Sequence, residues 1–153
     1  MRIGLVTKWF ASGQAVVSRQ IRSALDELGH ETFVLAKQGK GPRAQAEHAP
    51  DPIWDQPGVA HSEHADIPAA EYRGWAEQNE LEVVLCDQND QFAEIGELRA
   101  SGVRTIGRFV WESFAAEDAG PAQEAYEVIY SFTRAEQERY RELGIESPLL
   151  TWG

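Results

Sequence analysis

Three short stretches carry the residue types that bind or act on polar ligands. Asp87-Gln88-Asn89-Asp90 sets four hydrogen-bonding side chains in a row, a composition suited to a sugar's hydroxyl groups. The same four residues also make a capping and turn cluster for a following helix. Trp111-Glu112 puts an aromatic face that can stack on a sugar ring beside a carboxylate that can accept from its hydroxyls; a core tryptophan next to a surface glutamate is the alternative. Gly13-Gln14, following Lys8-Trp9-Phe10 and Ser12, permits close backbone approach at a helix start, where unpaired amides and the positive dipole end suit a phosphate or another oxyanion. Ordinary turn chemistry would also account for that glycine.

Other chemistries fit poorly. Neither G-x-G-x-x-G nor G-K-[ST] occurs, so there is no dinucleotide fingerprint and no phosphate loop. A calcium loop starting at Asp87 would lack its glycine and would close on Leu98 instead of a glutamate. His61-Ser62-Glu63-His64, with Asp66 nearby, does not place two histidines on one helical face and supplies no evident third ligand. The first strand ends in Thr7-Lys8-Trp9, without the acidic pair a magnesium-dependent receiver domain would need. No metal and no cofactor is expected.

These stretches must be held by regular elements, and the hydrophobic pattern supplies them. Ile3–Thr7 is apolar and too short for a helix, so it predicts a buried strand. Val17, Ile21, Ala24, Leu25 and Leu28 recur at helical spacing, with Arg19, Arg22, Asp26 and Glu27 on the other side, Ser12 as cap and Gly29 as stop. The alternation continues with a strand over 32–36, a helix over 69–78, a strand over 82–86 and a helix over 92–100 ended by Gly102. Strands over 103–110 and 128–130 and a helix over 134–143 ended by Gly144 complete it. Strands alternating with helices predict an α/β fold, a Rossmann-like parallel sheet with helices on both faces. Gly39–Gly58, with Pro42, Pro50, Pro52 and Pro57, breaks the rhythm as a long, functional or mobile connection. In such sheets ligands bind beyond the carboxyl ends of the strands, and all three chemistry-bearing stretches fall there.

Bulk properties narrow the partners. A chain of 153 residues, 42% hydrophobic and 25% charged, is one ordinary soluble domain. Its net charge of −11 repels phosphate backbones and anionic lipid, so neither nucleic acid nor a membrane surface is an expected partner. Lys37, Lys40 and Arg43 are scattered among acids and read as a solvated surface. Cys86 is the only cysteine and lies in an apolar run, so a buried thiol and a reducing cytoplasm are expected. No run approaches membrane-spanning length.

Gly13, Leu25, then Leu28-Gly29-His30-Glu31 leading into Phe33-Val34-Leu35 form a glycine-containing loop, a long helix and a Gly-His-Glu entry into a strand. Near the other end, Val128-Ile129-Tyr130-Ser131-Phe132-Thr133-Arg134, Leu143-Gly144-Ile145 and Thr151-Trp152-Gly153 follow a strand-Ser, helix-Leu-Gly, strand progression. Together these resemble the N-terminal domain of family 4 glycosyltransferases of the GT-B fold. The chain departs from many members at Gln14, where a second glycine is common, at Trp152 in place of asparagine, and at Asp87-Gln88-Asn89-Asp90, where a histidine is frequent. The resemblance implies that residues 1–153 are the acceptor-side half of a retaining glycosyltransferase, with a nucleotide-sugar donor bound by a C-terminal domain outside this chain. The isolated half would then not be catalytically competent. It also implies Gly13 and Gln14 near the donor diphosphate or reacting sugar, and Asp87, Asn89, Asp90, Trp111 and Glu112 facing a glycan or small-molecule acceptor. The alternative expectation is a non-catalytic Rossmann-like module that binds carbohydrate or protein.

Overall fold

The computed structural model describes residues 1–39 and 52–150. Pro42, Pro50, Lys40, Arg43 and Thr151-Trp152-Gly153 lie outside the described residues. Among the described residues the order is β1 (Arg2–Thr7), α1 (Gly13–Glu27), β2 (Glu31–Ala36), β3 (Val59–His61), α2 (Ala69–Gln78) and β4 (Val83–Asp87). It continues with α3 (Phe92–Ala100), β5 (Arg104–Arg108), a 3₁₀ turn at Ala116–Asp118, α4 (Ala119–Ala125), β6 (Val128–Ile129) and α5 (Arg134–Glu142).

The six strands form one sheet in the order β3-β2-β1-β4-β5-β6, and every pair is parallel. This is the doubly wound order, with its topological switch between β1 and β4. Beyond β6 the chain begins a further parallel pairing, a bridge between Ser131 and Leu149.

Period-two alternation divides the strands between two unequal cores. Val6, Val84 and Cys86 join a large cluster with Tyr72, Trp75, Ile95 and Leu98 from α2 and α3 and with Ala119, Ala122 and Ala125 of α4. Leu5, Val34 and Ala36 form a smaller cluster with Trp9, packed by Ile21 of α1 and by Trp54. Helix starts and stops follow local chemistry. The Ser12 side chain accepts from the Ala15 amide, Thr133 and Glu136 form a reciprocal capping box, and Gly29, Gly102 and Gly144 leave their helices at φ of +82°, +100° and +79°.

The expected face of α1 is corrected. Its buried residues are Ala15, Ser18 and Arg22, whereas Leu28 is 74% exposed. The cause is Arg22, whose Nε donates to Thr32 Oγ1 at 3.0 Å, whose Nη1 donates to Gln56 Oε1 at 3.1 Å and whose Nη2 donates to the Pro57 carbonyl at 2.7 Å. A guanidinium so fully bonded can be buried, so Arg22 joins the packed face while Ile21 stays half-buried against the smaller core. The contacts also hold the described part of the long connection, 52–58, against the sheet. There Trp9 Nε1 donates to the Trp54 carbonyl at 2.8 Å, and the two indoles meet edge to face.

Candidate functional site at the switch point

The carboxyl ends of β1, β4 and β5 converge where the strand order reverses. From β1 the chain turns through Lys8–Ser12 into α1, a fifteen-residue helix with no acidic residue in its first turn. Its positive dipole end is therefore uncompensated by its own side chains, which suits an anion at the crevice. Gly13 opens this helix, and a Cβ built on it would meet nothing within 4 Å. Gln14 reaches across the switch, its Nε2 donating to the Asp87 carbonyl at 2.8 Å.

Asp87 is the last residue of β4, one residue later than the expected strand end, so its side chain follows the alternation of the sheet. In register it pairs with Arg108, the last residue of β5, and the two side chains share a face. Arg108 Nη1 donates to Asp87 Oδ1 at 3.2 Å, and Arg108 Nη2 donates to Glu136 Oε1 at 2.7 Å. The other Glu136 oxygen, Oε2, accepts from the Phe132 amide at 2.7 Å. The guanidinium lies over the Phe132 ring, 4.4 Å from its centre. Asp87 and Glu136 are 6% and 3% exposed.

Burial pushes the Asp87 carboxyl above the ordinary carboxylate range; Arg108 and Gln14 pull it down without cancelling that effect. Burial also works against the Arg108 charge, but Asp87 and Glu136 together outweigh it and hold the guanidinium firmly protonated. Asp87 lines a small cavity with Thr7, Ser18 and Tyr130, where Thr7 Oγ1 and Ser18 Oγ share a hydrogen bond of 2.8 Å. This cavity lies between β1, β4 and the middle of α1, and its two hydroxyls are buried and bonded to each other.

The rest of the polar run after β4 is divided. Gln88 leaves the strand in the left-handed region, φ +54°, and Asp90 is exposed. Asn89, expected beside them facing a ligand, is turned inward and fully buried. Its Nδ2 donates to Tyr72 Oη at 2.9 Å and its Oδ1 accepts from the Gln91 amide at 3.1 Å, while its carbonyl accepts from Tyr126 Oη at 2.8 Å. Asn89 builds the turn; Asp87 faces the crevice. Trp111, 45% exposed, and Glu112, also exposed, lie in the turn after β5 on the same edge of the sheet. Asp87 and Gln14 are brought into contact, and Trp111 and Glu112 are exposed in the turn that follows β5. His61 is at the end of β3, and among the described residues no group of three His, Cys, Asp or Glu is placed to hold a metal.

No family model matches the chain, and no curated protein matches it by sequence. By structure it is similar to an alpha-glucosyltransferase solved in complex with UDP and a 13-mer DNA containing a central A:G mismatch. The TM-score is 0.53 at 15% identity, over 88% of this chain and 37% of that one. The likeness is one of fold: a Rossmann-like parallel α/β sheet. A second structure, an alpha-glucosyltransferase (AGT) in complex with UDP, aligns at TM-score 0.48 and 14% identity, over 93% of this chain and 39% of that chain. The chain therefore spans well under half the length of either.

Sequence reasoning missed Arg108 and Glu136, although both left signals. A charged residue inside the apolar stretch 103–110 needs a partner if the strand is buried. Thr133-Arg134-Ala135-Glu136 is a capping-box pattern. Strand register, which no local pattern supplies, joins Arg108 to Asp87, and the packing of α5 brings Glu136 to Arg108.

Proposed function

We propose that this chain is the acceptor-side half of a GT-B glycosyltransferase of the family 4 type, which moves a sugar from a nucleotide-sugar to a hydroxyl acceptor with retention. The donor nucleotide would be bound by a second domain outside these residues. The observation that carries the reading is the structural likeness over 88% of this chain to 37% of an enzyme solved with UDP, supported by the crevice at the switch point.

In this reading the α1 N-terminus and the open backbone at Gly13 accommodate the departing diphosphate, whose growing charge the helix dipole stabilises. Gln14 braces that turn against β4. Asp87 accepts a hydrogen bond from an acceptor hydroxyl, and Trp111, Glu112 and Asp90 extend the acceptor side along the sheet edge. Catalysis would rest on positioning and electrostatics. The DNA of the similar structure is not carried over, because a net charge of −11 opposes a phosphate backbone. No helix among the described residues is long and apolar enough to cross a membrane.

The test is calorimetry with UDP and a UDP-sugar on the 153-residue chain and on the protein encoded by its complete gene. Binding by the longer form alone supports the two-domain transferase. A gene that ends at Gly153, with no nucleotide bound, removes it in favour of an interaction module.

A further inference from the structure

Arg108 bridges the two buried carboxylates at the switch point. Its two terminal nitrogens are each committed to a different buried carboxylate, Asp87 at 3.2 Å and Glu136 at 2.7 Å, and its plane rests on Phe132. Among the described residues its Nε is buried without a hydrogen-bond partner. The two ion pairs and the ring contact fix where this charge lies. One cation serves two carboxylates, and the three groups together carry a single negative charge. Such a balance is sensitive: whatever weakens Arg108 or strengthens Glu136 works against the ionised form of Asp87.

We infer that Arg108 is a positioning residue that keeps Asp87 ionised and in place at the crevice, and that Glu136, by sharing the guanidinium, sets how strongly it does so. The inference rests on the glycosyltransferase reading for its purpose. An ionised Asp87 accepts from an acceptor hydroxyl and repels phosphate, which directs the diphosphate to the α1 side of the switch and the neutral polyol to the β4–β5 side. The groups facing Asp87 are Arg108 from β5, Glu136 and Tyr140 from α5, Tyr130 after β6, Gln14 from α1 and the adjacent Cys86. The phenols and the thiol are raised by burial far above neutrality, so none of them titrates in the acidic range with Asp87.

The experiment is a carbon-13 NMR titration of the Asp87 carboxyl in the 153-residue chain, in wild type, Arg108→Met, Arg108→Lys and Glu136→Gln. The expected result is a midpoint raised in Arg108→Met, partly restored in Arg108→Lys, and lowered in Glu136→Gln, where Asp87 no longer competes for the guanidinium. Shifts of opposite sign separate positioning from structural damage, which would move both variants alike. Glu136→Gln decides the matter should Arg108→Met fail to fold, since glutamine can still accept from the Phe132 amide. An Asp87 midpoint unchanged or raised in Glu136→Gln overturns the inference. Failure of the glycosyltransferase reading shows elsewhere, as absent nucleotide binding in the longer protein, and leaves these midpoints untouched.

Discussion

Gln14 donates its side-chain amide to the backbone carbonyl of Asp87 at 2.8 Å, and this single bond spans the point where the strand order of the sheet reverses. It ties the first turn of α1 to the tip of β4. Removing it in Gln14→Ala should lower stability by about 0.5–1.5 kcal/mol, the usual worth of such a bond. Gly13→Ala next to it should leave stability unchanged or raise it by up to about 1 kcal/mol, because alanine favours the helix and the added methyl meets nothing. In the longer protein Gly13→Ala should nevertheless reduce turnover. Thermal melts beside kinetics check both; unaltered turnover would remove Gly13 from the diphosphate site.

Asp87 predicts a stability that depends on pH in an uncommon direction. Its midpoint in the folded chain is raised, chiefly by burial, so the folded state holds the proton more tightly than the unfolded chain does. Below the ordinary carboxylate range both states are protonated and the site contributes nothing. As pH climbs from that range through the higher folded midpoint, ionisation costs folded stability, and the full cost is present above it. Asp87→Asn never ionises, so its melting temperature relative to wild type should rise from acid to pH 7. A variant that melts lower at pH 7 and recovers in acid would show that the Arg108 pair outweighs burial.

The sequence disclosed much of this architecture because its punctuation is local. Ser12, Gly29, Gly102 and Gly144 mark helix ends by chemistry that needs no partner, and α2 and α3 fall on the expected residues. What escaped was non-local or quiet. Helix α4 buries Ala119, Ala122 and Ala125, residues too small to make a visible apolar stripe, and β3 is three residues at the sheet edge with two of them exposed. The face of α1 was misjudged because hydrophobicity alone cannot foresee that Arg22 has carbonyls and hydroxyls to bury against. Asp87 was legible as a polar residue after a strand, but its partners were not: Arg108 lies 21 residues away and Glu136 a further 28.

Gly107 makes the case for a glycine inside a strand. A Cβ there would stand 2.7–2.9 Å from three carbons of the Tyr126 ring, and Tyr126 is itself fixed by its hydrogen bond to the Asn89 carbonyl. Gly107→Ala should therefore destabilise by about 1–3 kcal/mol, as overpacking of a filled core does. In combination with Tyr126→Leu the costs should be less than additive. Urea denaturation of the two single variants and the double variant measures the coupling, and strict additivity would mean that the ring is not what the methyl strikes.

Cys86 offers a probe of the same region from the neighbouring strand. Its thiol is fully enclosed, and burial pushes its pKa up to about 12, only partly offset by hydrogen bonding with Tyr126 and Asn89. The thiolate is the reactive form, so at pH 8 the native thiol is both protonated and shielded from reagent. Labelling by iodoacetamide should then be slow, rise steeply through the urea transition, and follow the opening of the central sheet. Gly107→Ala should speed labelling as its loss of stability raises the open population. Rapid labelling of the native wild type at pH 8 would place Cys86 on an accessible path, contrary to a β4 buried between α1 and α3.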